Sequence, residues 1–366
     1  MEQRKKNKWT EKLMKIWLDV LTPKQANLFA ELNDRLLAKG HKTLVTTRRY
    51  REANELLELR GIKSIVVGSH GGGSLKNKLL ESSKRVTALA EVVDEYGPNV
   101  AISFSSPEAG RVAFGLKISH YCVSDSPHAE AVCRLTLPLS EKLFTPWVIP
   151  IQAWKRYGMN ARDIIRYRAL DPMVWLYSNK MNSKALEGFG LDLSRPIMIV
   201  RTPEEFAAYL VDRSATRLSA AIDIVGRILD LDATAQIVVL PRYLDQGNKF
   251  RKKYGNHIIV PEHVIDAISL FHIASVFIGG GGTMSAEAAM LGVPVISYYP
   301  GEQTFIERFL VRYGLVERIL DPGRIAHRAI AISKSHEFQE FYDSKSRKFV
   351  HNMEDPLKVI LRRVLE

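Results

Sequence analysis

The sequence predicts an α/β protein of two doubly wound domains, each built on a parallel sheet and facing the other across a cleft. Three observations predict it. Short β-branched and aromatic runs alternate with stretches of helical period up to about residue 123, and a second series of the same kind opens at residue 197. Between about residues 146 and 182 the pattern breaks into aromatics, arginines and prolines without a sustained period, which reads as connector and interdomain packing. Late in the chain, VFIGGGGTMSAEAAMLGVPVISYYP at 276–300 reads as strand, glycine turn, helix and strand.

The first series opens on an apolar strand at 13–20. A helix over 23–39 follows, with Ala26, Phe29, Ala30, Leu32, Leu36 and Leu37 at helical spacing and Gly40 as its stop. Strand 43–46, helix 50–59 closed by Gly61 and strand 64–67 complete a βαβαβ unit, whose crossovers require parallel strands. Past the glycine-rich loop at 68–73, an amphipathic helix runs to about Tyr96, and strands at 100–103 and 118–123 flank a helix over 107–116.

The second series reads strand 197–200, helix 218–229, strands 236–240 and 257–260, and helix 264–272. The glycine segment and a helix over 303–313 complete it. The expected organisation is a basic tail at 1–12, Rossmann-like domains at 13–172 and 173–345, and a C-terminal segment at 346–366 whose helix, 356–365, packs back on the first domain.

Composition narrows the function classes. With 366 residues, 46% hydrophobic and 25% charged, the chain has the make-up of a soluble two-domain protein. The opening MEQRKKNKWTEK lacks the apolar core of a signal peptide, and no apolar run approaches a membrane span, so a cytoplasmic protein is expected. Cys122 and Cys133 have no partners at zinc spacing, and no metal site is expected. A net charge of +12 favours anionic partners, and Arg4, Lys5, Lys6, Lys8 and Lys12 surround Trp9 in the tail. No nucleic-acid motif accompanies that charge, so nucleic acid is not the expected partner.

The glycine turn carries the chemistry. Gly280, Gly281 and Gly282 leave backbone N–H groups free to converge on an anion, and the helix beginning at Thr283 adds its positive end. Glu287, one turn further on, is placed to reach the hydroxyls of a ribose. The plainer reading is a tight turn with a solvated Glu287, but four consecutive glycines exceed what a turn needs. Gly282 is followed by Thr283-Met284 rather than Lys-Ser/Thr, which excludes a P-loop, and the late position excludes the dinucleotide fingerprint. A sugar nucleotide is the expected guest.

In the first domain, the loop Ser124-Asp125-Ser126-Pro127-His128-Ala129-Glu130 follows a strand, and Asp125 is placed to orient His128 and raise its basicity as a general base. Glu108 is a second candidate base, with first-turn helix capping as its plainer role. Asp19, Thr22 and the loop at 70–73 are expected to edge the same cleft.

With two such domains and GGTMSAE followed by AAMLGVPVI, the chain resembles the GT-B superfamily of sugar-nucleotide enzymes. Members include the peptidoglycan N-acetylglucosaminyltransferase and the non-hydrolysing UDP-N-acetylglucosamine 2-epimerases. Through KIWLDVLTP, SFSSPEAGRVAFGL, SDSPHA, VRTPEEFAAY and VVLPR it is similar, from about Met14 to Leu320, to an archaeal and bacterial family known as domain of unknown function 354. The resemblance implies that Gly280 to Thr283 hold a diphosphate and Glu287 a ribose. It also implies that Arg201 or Arg242 neutralises the leaving diphosphate, with an interdomain salt bridge as the alternative for each. Glu302 and Gln303 would meet the donor sugar or, failing that, cap the following helix.

The implied activity is a metal-independent glycosyltransferase with a nucleotide diphosphate sugar as donor, UDP-linked, and no further cofactor. The first domain would hold the acceptor and the second the donor. A lipid-linked acceptor would bring the basic protein to acidic headgroups at a membrane surface. The alternatives are an epimerase or hydrolase of the sugar nucleotide and a non-catalytic binding protein. His128-Ala129-Glu130-Ala131 is loosely similar to the HxEAG segment of the epimerases, but Val132-Cys133-Arg134-Leu135-Thr136 replace the Gly and the Arg-Thr usual there.

Overall fold

The computed structural model describes residues 13–176, 186–187, 189–204, 214–263 and 265–366. The basic tail at 1–12, the end of the connector, Val264 and most of the EEFAAY stretch lie outside the described residues.

The first sheet is assembled from strands β1 (Lys15–Val20), β2 (Lys42–Arg49), β3 (Ile65–Ser69), β4 (Val100–Ser103), β5 (Ser119–Val123), β6 (Lys142–Pro146) and β7 (Ile164–Tyr167). Helices α1 (Pro23–Ala38), α2 (Arg51–Leu59), α3 (Leu75–Tyr96), α4 (Pro107–Gly115) and α5 (Glu130–Thr136) are its crossovers, and the short α6 (Gln152–Lys155) and α7 (Met173–Leu176) lead out of it. All seven strands are parallel, in the order β3-β2-β1-β4-β5-β6-β7. The order reverses between β1 and β4, where a doubly wound sheet opens its crevice.

The second sheet contains β8 (Ile197–Arg201), β9 (Gln236–Leu240), β10 (Val276–Gly279), β11 (Val295–Ser297) and β12 (Val316–Arg318). Its helices are α8 (Ser214–Leu231), α9 (Leu244–Tyr254), α10 (Ala267–Ile273), α11 (Thr283–Met290), α12 (Phe305–Tyr313) and α13 (Pro322–Ser333). The parallel order β12-β11-β10-β8-β9 reverses between β8 and β10. Helices α14 (His336–His351) and α15 (Pro356–Leu365) close the chain. α15 buries Leu357, Ile360, Leu361 and Val364 in the same core as Leu28 and Leu32 of α1, and Asp355 pairs with Arg35 at 2.5 Å.

Two expectations are corrected. The connector hides β7, and β6 stands immediately before it. Both are short and interrupted by Thr, Pro or Arg, so neither shows a period, yet Trp154, Tyr167 and Trp175 of this stretch are fully buried. The strand expected at 257–260 reduces to a single bridge between Val238 and Ile259, because a 3₁₀ turn at Gly255–His257 precedes it and Pro261, which has no N–H to donate, follows.

Candidate functional site

The carboxyl ends of both sheets face one cleft of about 1780 Å³. On the second sheet, β10 ends at Gly279 and the chain turns through Gly281 and Gly282 with φ of +81° and +94°. Side chains rarely adopt those angles, so glycine is needed there to start α11 in this direction. No acidic side chain occupies the first turn of α11, and its amide end opens on the cleft beside Thr283 and Ser285.

Arg201 closes β8 and Arg242 follows β9. Arg201 donates through Nη1 to the carbonyls of Pro241 at 2.9 Å and Leu240 at 3.3 Å, while Arg242 pairs with Glu204 at 3.0 Å. Burial, and then the neighbouring charge of Arg242, push Arg201 down to about 10. Two guanidinium groups are thus packed close together here. Among the described residues, the buried polar atoms that lack a partner include Arg201 Nε, Arg242 Nε and Ser285 Oγ, and all three belong to residues lining this cleft. Unsatisfied buried donors are costly and need a reason. A bound anion would supply one.

Glu287 also lines the cleft but is only 5% exposed. It accepts a 2.8 Å hydrogen bond from Trp175 Nε1, which fixes one carboxylate oxygen to the segment joining the two sheets. Burial raises its pKa to about 7, against the pull of the Trp175 hydrogen bond and of Lys24 and Arg201. The folded pKa lies above the unfolded value of 4.5, so Glu287 costs stability as pH rises from about 4.5 to about 7. Glu287→Gln keeps the acceptor for Trp175 and removes the charge. It is expected to gain up to about 3 kcal/mol near pH 8 and nothing near pH 4, measured by denaturant unfolding.

On the first sheet, Asp125, His128 and Glu108 line the opposite wall. Asp125 interacts with His128 but has stronger partners as well. Lys24, at the start of α1, takes Asp125 and lies 2.5 Å from Asp171, and Ser126 donates to Asp125 at 2.7 Å. Loss of solvation in the cleft lowers the His128 pKa, Asp125 raises it and Lys24 lowers it again. The balance falls below the ordinary value of 6.5, because burial outweighs the rise that Asp125 brings.

Glu108 stands in the first turn of α4, 3.4 Å from the Ser106 hydroxyl and 3.9 Å from Arg85. Asp19 does not edge the cleft. It is fully buried and accepts from Arg85 at 2.6 and 3.1 Å, from Ser106 at 2.6 Å and from Thr46 at 2.6 Å. Burial alone would raise its carboxyl, but Arg85 and the two hydroxyls hold it below the usual carboxylate range. Of the loop at 70–73, His70 lines the cleft and the glycines do not.

Glu302 and Gln303 are also corrected. Neither lines the cleft; Glu302 is 92% exposed and pairs with Arg308 at 3.5 Å. The cap of α12 is Thr304, which accepts from the Glu307 amide. Tyr299, Pro300 and Thr304 face the cleft from this turn instead. The sequence reading missed Lys24, Arg48 and Ser285, which line the cleft, and Trp175, which holds Glu287. Lys24 and Arg48 stand at the carboxyl ends of β1 and β2, so strand polarity was the available signal. Among the described residues no three His, Cys, Asp or Glu side chains gather as a metal donor set, and no helix is long and apolar enough to cross a membrane.

Residues 14–366 match the family described as "Protein of unknown function (DUF354)". The chain belongs to the DUF354 family. Over 301 residues this DUF354 chain is 30% identical to an uncharacterized protein of Methanocaldococcus jannaschii, across 81% of this chain and 85% of the relative.

Among solved structures, it is similar to the UDP-GlcNAc 2-epimerase of Neisseria meningitidis bound to UDP-GlcNAc, with a TM-score of 0.74 and 17% identity over 96% of this chain and 100% of that one. The Methanocaldococcus jannaschii UDP-GlcNAc 2-epimerase in complex with UDP-GlcNAc and UDP gives 0.71 and 17% over 96% and 99%. The glycotransferase of kitacinnamycin gives 0.64 and 14% over 97% and 100%. These TM-scores show that the fold of the DUF354 chain is GT-B-like.

Proposed function

We propose that the protein is a GT-B-type glycosyltransferase that takes a nucleotide diphosphate sugar, UDP-linked, on its second domain and an acceptor on its first. The observation that carries this reading is the set of unpartnered donors, Arg201 Nε, Arg242 Nε and Ser285 Oγ, in the cleft onto which the glycine turn and the amide end of α11 open. A bound diphosphate would offer them acceptor oxygens. Amides, helix dipole and guanidinium groups would stabilise the charge that develops on it. Glu287 is one helical turn into α11 and would take the ribose hydroxyls. The fold is shared with epimerases whose solved structures hold UDP-GlcNAc or UDP, which supports a sugar nucleotide as ligand.

Transfer is favoured by the size of the cleft. At about 1780 Å³ it exceeds the roughly 300–1,000 Å³ of an ordinary small-ligand site and leaves room for a second substrate. In this reading the bond from the anomeric carbon to the diphosphate oxygen breaks with its electron pair leaving on the nucleotide. An acceptor hydroxyl forms the new bond, and its proton passes to His128. Because the pKa of His128 lies below 6.5, the imidazole is neutral at pH 7 and the acid limb of the rate falls below pH 6.5. His128→Ala is expected to lower kcat about 10²-fold with donor affinity unchanged. Wild-type turnover in that variant would remove His128 from the reaction.

A second reading, epimerisation of the sugar nucleotide, is favoured by the likeness to the epimerases. Incubation with UDP- and GDP-sugars separates the two. Free nucleotide that appears only when an acceptor is added supports transfer, and a new sugar on an intact nucleotide supports epimerisation.

A further inference from the structure

Among the described residues, the first two turns of α3 contribute no buried side chain. The buried side chains of this helix, Arg85, Leu89 and Val93, all lie in later turns, whereas Leu75 and Leu79 are 64% and 68% exposed. They are nevertheless not scattered surface leucines. Leu75, Lys78, Leu79 and Ser82, spaced i, i+3, i+4 and i+7, form one helical stripe, and that stripe lines the cleft. Beside it stand Arg48, from the end of β2, and His70, from the loop after β3, whose ring stacks on Tyr50 with centroids 5.1 Å apart. Arg48 Nε is buried and lacks a partner.

Desolvation acts on Arg48, His70 and Lys78 alike, and the charge of Arg48 acts on the other two. Burial, then Arg48 and Lys78, push His70 down to about 4. Lys78 is lowered by burial and by Arg48 against the pull of Glu204, and Arg48 is lowered by burial and by Arg85 against that of Glu108. The acidic neighbours are themselves engaged, Glu108 near Arg85 and Glu204 on Arg242. The unpartnered Arg48 Nε thus adjoins two exposed leucines on the first-sheet side of the cleft.

We propose that this corner receives a lipid-linked acceptor, an apolar chain joined through phosphate to the hydroxyl-bearing head, with Arg48 and Lys78 on the phosphate and Leu75 and Leu79 on the chain. The inference deepens the transferase reading and rests on it. Charge complementarity selects the phosphate, and the continuity of the leucine stripe with the cleft selects the chain, since a wholly polar phosphate would leave both leucines in water. Lys76, exposed on the same turns, would meet the surface from which such a lipid is drawn.

The test is flotation of the full chain with phosphatidylcholine vesicles carrying hexadecyl phosphate, compared with the same vesicles carrying palmitic acid and with undoped vesicles. The wild type is expected to prefer the alkyl phosphate. Leu75→Ser with Leu79→Ser should weaken that binding about tenfold or more, since each leucine loses an apolar contact. Arg48→Gln should erase the preference for phosphate over carboxylate. Both leucines are solvent-exposed, so the double variant folds, and its UDP affinity should equal that of the wild type.

Equal binding to all three vesicles, or binding indifferent to the leucines, overturns the proposal. Monomers appearing on gel filtration only in the leucine variant would assign the stripe to a second copy and overturn it as well. UDP binding by the wild type without any vesicle preference would sink this inference alone, whereas no UDP binding would sink the reading beneath it.

Discussion

Replacing Arg201 and Arg242 together by glutamine is expected to weaken binding of a nucleoside diphosphate by about 10²- to 10⁴-fold. Arg201 closes β8, which borders the switch point of the second sheet, Arg242 follows the neighbouring edge strand β9, and each holds a buried Nε without a partner. A charge-assisted hydrogen bond to phosphate contributes about 1.5–3 kcal/mol, so two together account for about 3–6 kcal/mol. The fold should tolerate the change. Arg201 is buried against Arg242 and its pKa is pushed to about 10, so removing both charges relieves repulsion, and a glutamine amide can still donate to the Leu240 or Pro241 carbonyl. Calorimetric titration with UDP, alongside a melting curve, reads both halves of the expectation. Undiminished affinity in a folded variant would place the diphosphate elsewhere.

Asp19→Ala is expected to have the opposite signature: a loss of stability of about 3–5 kcal/mol, the range found when one partner of a buried ion pair is removed. The substitution leaves Arg85 buried with its two bonds to Asp19 gone, and leaves the hydroxyls of Thr46 and Ser106 without their acceptor. Denaturant unfolding measures it.

The pH dependence has a definite sign. The folded pKa of Asp19 lies below the ordinary 3.8, so its stabilisation is complete above about pH 4 and is lost as pH falls through the folded value. The wild type should therefore shed stability in that acid window, while Asp19→Ala, already destabilised, should show a shallower loss. A cost below about 1 kcal/mol would mean that Arg85 finds another carboxylate, and Glu108 at 3.9 Å is the available one.

Much of the fold was legible because its strands are short β-branched runs set between turn residues. Val100–Ser103 and Gln236–Leu240 are observed with the expected bounds, as is α15 at Pro356–Leu365. The strands that escaped, β6 and β7, lie at one edge of the sheet and pair through few residues each, so burial rather than periodicity determines them.

At the site, the glycine turn was visible since only glycine serves at Gly281 and Gly282, and Arg201 and Arg242 line the cleft as strand-end residues. What stayed hidden depends on contacts between distant segments. Nothing near Asp125 in the chain announces that Lys24, a hundred positions earlier, neutralises it. Nor does anything near Asp19 disclose that Arg85 draws it out of the cleft. Glu302 misled because a strand end followed by a helix usually faces the crevice, whereas here the turn carries its side chain outward and Thr304 takes the cap.

The central claim is that a diphosphate is held in the cleft by the amides of the glycine turn together with Arg201 and Arg242. It is tested most directly by calorimetric titration of the wild-type chain with UDP and, separately, with uridine, which presents the same base and ribose without the phosphates. The account predicts saturable binding of UDP and an affinity for uridine lower by about 10²-fold or more. Equal affinities for the two, or no binding of UDP, would contradict it.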